Sequence, residues 1–130
     1  MEHYTLEQEV ALLPWVREQQ ERLEKLTKRQ VEIQDWLDHL HERVRSNGHS
    51  SHAEEAGAFR IELQEIEAKQ AAVVQAFVDR DIILRDGQQG LVDFVSVRNG
   101  RDVYLCWLEG EDTIGFWHDL NTGFAGRQPL

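Results

Sequence analysis

The sequence predicts an α+β fold: a long, coiled-coil-like antiparallel helical hairpin, a small antiparallel β-meander and an irregular C-terminal tail. Three observations predict it. Apolar residues repeat in heptads twice between residues 23 and 77, Asn99-Gly100 separates two segments that alternate in polarity, and residues 118–130 lack periodicity. Heptads are typical of paired helices, and Asn-Gly is typical of tight hairpin turns. The length of 130 residues favours a single domain.

The first predicted element is a short helix over residues 5–13. Thr5 can cap its start and Gln8 stands three residues later, so that the two form a capping box. Pro14 cannot donate the backbone hydrogen bond that a helix needs, and its ring crowds the preceding turn. We therefore expect a break or kink at Pro14, with the helical hairpin occupying residues 14–80.

The hairpin is predicted from two heptad repeats on either side of a reversal in residues 46–52. The first repeat contains Leu23, Leu26, Gln30, Ile33, Leu37, Leu40 and Val44, and the second contains Ala56, Phe59, Leu63, Ile66, Gln70, Val73 and Phe77. If the helices run antiparallel, residues whose numbers sum to 99 or 100 meet, so Gln30 should contact Gln70. One such polar layer fixes the register of a coiled coil at some cost in stability.

The β-meander is predicted over residues 82–117, where β-branched and aromatic residues dominate. Both central residues of a two-residue hairpin turn need positive φ, which Asn99 and Gly100 tolerate. Partners across this turn have numbers that sum to 199. The turn therefore places Asp93 directly opposite Cys106.

A second turn, at residues 109–112, predicts the register of the next strand. It would place Gly115 beside Cys106 and Trp117 beside Tyr104. The face expected to pack on the helices carries Val92, Phe94, Leu105, Trp107, Ile114 and Phe116. The outer face carries Asp93, Val95, Tyr104, Cys106, Gly115 and Trp117. Gly115 would leave a hollow on the outer face, and the tail is expected to lie over it.

Composition disfavours several classes of partner. The net charge is -10 and the pI is about 5.0, so the protein repels phosphate backbones and anionic lipids. Nucleic acid and membrane surfaces are therefore not expected as partners. No apolar run approaches the roughly 20 residues of a membrane helix, the first residues lack the pattern of a secretory signal, and the single Cys106 cannot form an internal disulfide. We expect a cytoplasmic protein.

Four stretches of the chain carry a resemblance to a known family. They are Thr5-Leu6-Glu7 through Leu12-Leu13-Pro14, Gly90 to Phe94, Gly100-Arg101 with Val103 to Trp107, and the string WHDLNTGFAGRQP from Trp117 to Pro129. In them the chain resembles an uncharacterised bacterial family, domain-of-unknown-function family 2203. The resemblance covers nearly the whole chain and is weakest in the helical hairpin. It implies no activity, but it assigns the family signature to the sheet and tail.

Two residues depart from that family pattern. Asn121 stands where an acidic residue is expected, and Val95 stands where a proline is expected. The first departure weakens any interpretation of position 121 as a required ligand.

The candidate ligand-binding residues lie on or near the outer face. They are Asp93, Tyr104, Cys106, Trp117, His118 and Arg127. A nucleophilic cysteine needs a nearby cation or base, whereas Asp93 disfavours a thiolate. Strand alternation also sends His118, the natural base, to the opposite face. Cys106 is therefore either a small packing residue or, if the chain turns before His118, part of a Cys-His dyad.

Arg127 and Arg101 are the cations available to neutralise Asp93. A guanidinium bonded to that carboxylate would tie the tail to the sheet. The alternative is that Arg127, together with the backbone amides of residues 123–126, holds an anionic ligand on the outer face.

Two groups of residues contain metal-ligand types without forming a convincing site. His118 and Asp119 are weak candidates, because a site needs three or four converging groups and only Asp93 is an obvious third. The tip of the hairpin carries Asp38, His39, His41, Glu42, His49 and His52. Their spacing lacks the order of a zinc site and favours a solvated tip with adventitious metal binding. No metal and no cofactor are expected.

The hairpin is longer than a small sheet can cover, since its first helix spans on the order of 45 Å. The far end of this helix, with the turn at residues 46–52, should therefore project as an arm. Trp36 and Ile61 fall off the heptad positions of the arm, which indicates a contact surface. We expect two arms to pair in a homodimer, forming a four-helix bundle.

The preferred function is that of a non-enzymatic interaction or oligomerisation module. Its partner is a second copy of the chain or a different protein. This preference follows from the heptads and from the lack of a convergent acid, base and nucleophile. The alternative is a small-molecule or metal-binding protein, an enzyme included, whose site lies on the outer face beneath the tail.

Overall fold

Two long helices precede a five-stranded antiparallel sheet in the computed structural model, which describes residues 3–47, 53–87 and 89–130. The elements in chain order are α1 (Leu6–Asn47), α2 (Ala53–Asp79), β1 (Ile82–Asp86), β2 (Leu91–Arg98), β3 (Arg101–Leu108), β4 (Phe116–Asp119), a single 3-10 turn (Phe124–Gly126) and β5 (Gln128–Pro129). The predicted α+β class is confirmed. Most of the predicted reversal, residues 48–52, lies outside the described residues.

The start of α1 has the predicted cap but not the predicted break. Thr5 N donates to Gln8 Oε1 at 2.9 Å and Gln8 N donates to Thr5 Oγ1 at 3.2 Å, which is a reciprocal capping box. The helix then continues through Pro14, so the separate helix 5–13 is wrong. Pro14 and Val10 are both exposed. The proline ring therefore lies on the solvent side of the helix, outside the core.

The two helices pack antiparallel in the predicted register. Gln70 Nε2 donates to Gln30 Oε1 at 3.1 Å, which confirms the predicted contact. Farther along the arm, the rings of Trp36 and Phe59 have centroids 4.6 Å apart. Trp36 is thus half-buried within its own hairpin, and the interpretation of this residue as an exposed contact is wrong.

The sheet order is β1-β2-β3-β4-β5, and the register of its central pair is the predicted one. Asp93 lies opposite Cys106. Asn99 and Gly100 have φ of 53° and 77°, the positive values that the turn requires. A two-residue turn leaves no freedom in the pairing of its strands, which is why the sequence predicts this register correctly.

The register between β3 and β4 differs from the predicted one by a single residue. Cys106 lies opposite Phe116 instead of Gly115, and Tyr104 lies opposite His118 instead of Trp117. A one-residue shift exchanges the two faces of a strand. Trp117 therefore joins the core and His118 joins the outer face, which reverses both predicted placements.

The core lies between one face of the sheet and the basal ends of the helices. Its buried residues are Tyr4, Leu13, Val16, Val73, Phe77, Ile82, Val92, Phe94, Val103, Leu105, Trp107, Ile114 and Trp117. The tail is mostly irregular, as predicted, but it ends in β5, where Gln128 pairs with Trp117. The sheet therefore gains a fifth strand that the sequence did not predict.

None of the helices among the described residues carries an apolar stretch of the length that a bilayer span requires.

The buried carboxyl group of Glu9 makes folding stability depend on pH. Glu9 is 0 % exposed, and neither carboxyl oxygen has a hydrogen-bond partner among the described residues. Burial raises the pKa of Glu9 from 4.5 to about 9. The folded protein therefore keeps a proton that the unfolded chain releases, and stability should fall as pH rises between these two values.

Replacing this group should remove that dependence. Glu9→Gln should raise the free energy of unfolding at pH 8 by roughly 2 kcal/mol or more, with a much smaller change at pH 4.5. Urea denaturation at the two pH values measures this difference. Glu7→Gln, at an exposed position of the same turn, serves as the control. If the free energy of unfolding of Glu9→Gln depended on pH as strongly as that of the wild type, the Glu9 carboxyl would not be the source of the dependence.

Candidate functional site

Three chemically reactive side chains from neighbouring strands converge on the outer face of the sheet. Asp93 of β2 lies opposite Cys106 of β3, and the β3–β4 register brings His118 of β4 to the same face. Their exposed fractions are 2 %, 0 % and 1 %. Polar groups this deeply buried need partners.

The imidazole of His118 is oriented by two contacts. Its Nδ1 lies 2.8 Å from the carbonyl oxygen of Asp119. A carbonyl can only accept, so Nδ1 carries the proton of this bond. Its Nε2 points at Asp93 and lies 3.0 Å from both carboxylate oxygens. The ring is thus held with Nε2 directed into the cluster.

The counter-ion of Asp93 is Arg85, which the sequence did not single out. Arg85 Nε donates to Asp93 Oδ2 at 2.9 Å. Its guanidinium also lies 4.9 Å from the ring centroid of Tyr104, and the Tyr104 ring lies 5.3 Å from that of His118. Tyr104 therefore lies on the outer face, as predicted. There it packs against the side chains of Arg85 and His118.

The two predicted counter-ions of Asp93 are bonded elsewhere. Arg127 Nη2 lies 2.6 Å from Glu111 Oε2, and Arg101 Nη2 lies 3.0 Å from Asp119 Oδ1. The prediction that one of them neutralises Asp93 is therefore wrong. It assumed that the tail supplies the cation, whereas the neighbouring edge strand β1 supplies it.

Arg127 lies over the outer face, as expected, whereas Trp117 lies on the other side of the sheet. The Arg127 guanidinium stacks 3.9 Å from the ring centroid of Phe116 and 4.7 Å from that of Phe124, so it covers the outer face beside the cluster. Its Nη1 lies 3.9 Å from Cys106 Sγ. Trp117 lies in the core on the opposite side of the sheet, and its predicted role as a site residue is wrong.

The thiol of Cys106 is held in its protonated form. Burial, and next the negative charge of Asp93, raise its pKa from 9.0 to about 12, while Arg127 acts in the opposite direction. A thiol with this pKa has almost no thiolate at neutral pH. The His118 ring is engaged by Asp93 and Asp119 and does not activate Cys106. The cluster therefore lacks a Cys-His nucleophile.

The three side chains do have the arrangement of a metal-ligand set. One donor atom from each of Asp93, Cys106 and His118 can be chosen so that all three lie within 4.8 Å of one another. Donors around a tetrahedral zinc ion, at about 2.0–2.3 Å from it, are separated by roughly 3–4 Å, which is within the 4.8 Å limit of this set. The Nδ1 bond of His118 to a backbone carbonyl is also the arrangement that orients metal-binding histidines.

Asp119, the other weak metal candidate, is not part of this set. Its carboxylate pairs with Arg101 on the exposed end of β4. Only its backbone carbonyl reaches the cluster, through His118.

The family of the chain follows from a comparison with family models. Residues 2–130 match the model described as an uncharacterized conserved protein, DUF2203. The chain belongs to the DUF2203 family. The match confirms the resemblance seen in the sequence. No curated protein and no solved structure matches this DUF2203 chain significantly.

The sequence of this DUF2203 protein placed Asp93 opposite Cys106, as the structure does, and it misplaced His118 on the other face of the sheet. Alternation along β1 does not identify Arg85, because Ile83 pairs with Asp93 but the register shifts between Leu84 and Asp86, where Arg85 lies. That pairing depends on residues 87–90, whose turn chemistry does not fix a register. Arg85 could thus be assigned only from the structure.

The protonated, buried thiol should react slowly. In the presence of a chelator at pH 8, Cys106 should react with Ellman's reagent roughly a thousandfold more slowly in the native protein than in guanidinium chloride, because folding removes nearly all thiolate. Absorbance at the thionitrobenzoate band measures both rates. Comparable rates in the two conditions would contradict the assignment of a buried thiol with a raised pKa.

Proposed function

We propose that this DUF2203 protein binds one transition-metal ion of the zinc class through Asp93, Cys106 and His118. The observation that carries the proposal is the convergence of an oxygen, a sulfur and a nitrogen donor within 4.8 Å of one another on three adjacent strands. Bound there, the ion would join β2, β3 and β4.

The donor types favour this class of ion. Thiolate and imidazole ligands suit zinc and related transition metals, whereas magnesium and calcium prefer oxygen donors alone. His118 Nε2 is 3.0 Å from each carboxylate oxygen of Asp93, so both oxygens face the cluster. Oδ2 also accepts from Arg85 Nε, which leaves Oδ1 as the oxygen better placed to bind the ion. The charge of the ion would compensate for loss of the proton from Cys106.

Burial favours a structural role for the ion. Catalytic zinc sites keep an open position for water or substrate, and structural sites are closed. Each of the three residues is at least 98 % buried. The Arg127 side chain and its aromatic partners further restrict access. We therefore assign the site a role in holding the sheet together, with no reaction at the metal.

The competing arrangement is a metal-free hydrogen-bonded network. In it Arg85 forms an ion pair with the buried carboxylate of Asp93, His118 Nε2 lies within hydrogen-bonding distance of it, and Cys106 is a packing residue. The two arrangements share the same side chains but differ in metal content, which decides between them.

The protein should contain zinc only when Asp93, Cys106 and His118 are all present. Tag-free protein grown with added zinc should carry one ion per chain by plasma mass spectrometry. Zinc at a hundredfold excess over its dissociation constant should raise the melting temperature by roughly 10 °C. Cys106→Ala and His118→Gln should each abolish both effects, because two ligands hold zinc poorly.

Two controls separate this site from adventitious binding. The double variant His39→Gln/His41→Gln removes imidazoles of the arm and should retain the ion, as should Asp119→Asn. Cobalt(II) should give a thiolate charge-transfer band that Cys106→Ala lacks. Retention of the ion by Cys106→Ala and His118→Gln, or its loss in the arm variant alone, would contradict the proposal.

We infer that a second function, homodimerisation through the arm, is favoured by apolar side chains left exposed there. Val31 is 53 % and Ile61 is 58 % exposed. Ile61 also borders a groove that Leu26 and Ala58 line together with charged residues of both helices. Exposed apolar groups that flank a groove are typical of contact surfaces. This surface supports the interaction module, with a second copy of the chain as the partner.

A charge placed in that surface should separate the copies. Ile61→Asp should weaken self-association at least tenfold, which is about 1.4 kcal/mol, because the dimer would bury an unpaired carboxylate. Sedimentation velocity over a concentration series measures this change. Gln64→Asp, at an exposed arm position, is the control for added charge. A wild-type protein that remains monomeric at high concentration would contradict dimerisation.

A further inference from the structure

A groove with a volume of about 820 Å³ lies between the two helices and the edge strand β1, away from the metal-ligand cluster. Its walls come from α1, α2, β1 and the turn after β3, where Glu109 lies. Ligand pockets in proteins have volumes of about 300–1,000 Å³. The groove is therefore large enough for an organic molecule.

The wall of the groove contains a buried amide without a partner. Gln20 is 4 % exposed, and neither its Oε1 nor its Nε2 makes a hydrogen bond within the described part of the chain. Buried polar atoms are nearly always bonded, so each exception requires an explanation. A bound molecule that offers a donor or an acceptor to this amide would supply the missing partner.

A carboxylate lies next to that amide. Gly90 has a φ of 71°, and a Cβ at this position would lie 2.7 Å from Glu109 Oε2 and 3.1 Å from Gln20 Nε2. The absence of a side chain at residue 90 thus allows the two groups to approach the same point. A half-turn of the amide would present Oε1 there. Two oxygen acceptors would then face one bound group.

The remaining charges of the groove are mainly negative. Glu24, Asp86 and Glu109 line it, against the single cation Lys28. Glu24, Lys28 and Glu109 form no ion pair or side-chain hydrogen bond with other described residues. Leu23, Val74 and Leu84 supply an apolar surface between them. This combination complements a cation attached to an apolar body.

The groove lacks the kind of ligand set found on the outer face. Among the described residues, Asp93, Cys106 and His118 are the three His, Cys, Asp or Glu side chains whose donor atoms converge, and none of them lines the groove. The apolar surface of the groove instead favours an organic cation.

We propose that the groove binds a small organic amine, whose ammonium group bonds to Gln20 and Glu109 and whose apolar body lies on Leu23, Val74 and Leu84. The site is separate from the metal centre and does not depend on it.

The test uses 2-phenylethylamine as the probe, with 2-phenylethanol and phenylacetate as its neutral and anionic counterparts. Binding to the full chain is followed by titration calorimetry and by the side-chain amide signal of Gln20 in nitrogen-15 correlation spectra. The amine should bind at least tenfold more tightly than the alcohol, and phenylacetate should bind more weakly than either. The Gln20 signal should shift with the amine.

Variants of the two acceptors should weaken binding of the amine. Glu109→Gln and Gln20→Leu should each reduce its affinity tenfold or more, while Glu21→Gln, an exposed position of α1, should leave it unchanged. Unfolding curves for each variant check that the fold is retained. Equal affinities for amine and alcohol, or an unchanged affinity in both acceptor variants, would overturn the proposal.

Discussion

Burial of Trp117 in the core is the constraint on which the functional half of the structure depends. Its indole lies opposite Leu105 on the inner face of the sheet, where it joins the core cluster. Because side chains alternate along a strand, an inward Trp117 forces the residues on either side of it outward. His118 is one of them. The register between β3 and β4 thus places the imidazole of His118 on the outer face, next to the carboxylate of Asp93 and the thiol of Cys106.

The fold was predictable wherever short-range geometry fixes long-range pairing. Asn99-Gly100 leaves one register for β2 and β3, and the heptads leave one layer in which Gln30 can meet Gln70. Prediction failed where packing overrides local preference. Pro14 is accommodated within α1 at a solvent-exposed position. The stretch 112–115 has no turn geometry of its own, so burial of the next strand, instead of the turn, determines the pairing.

The candidate site was predictable to a smaller extent, because its members come from four strands and only one pair of them had a fixed register. Asp93 and Cys106 follow from the tight hairpin. Arg85 depends on the pairing of β1, and the groove around Gln20 depends on how α1 packs on the sheet below the first heptad. A helical pattern there indicates a buried face but does not reveal that a glutamine within it lacks a partner. Such groups become apparent only from the tertiary contacts.

Tyr4 connects the beginning of α1 to the sheet. Its backbone N donates to the carbonyl of Val95, its carbonyl accepts from Ser96 Oγ, and its hydroxyl donates to the carbonyl of Arg80. The chain therefore enters and leaves the helical hairpin at the same base. Inserting or deleting matched heptads in both helices would alter the reach of the hairpin while leaving this base untouched, since each heptad of one helix packs on the matching heptad of the other. The architecture separates a constant platform from an extension of adjustable length.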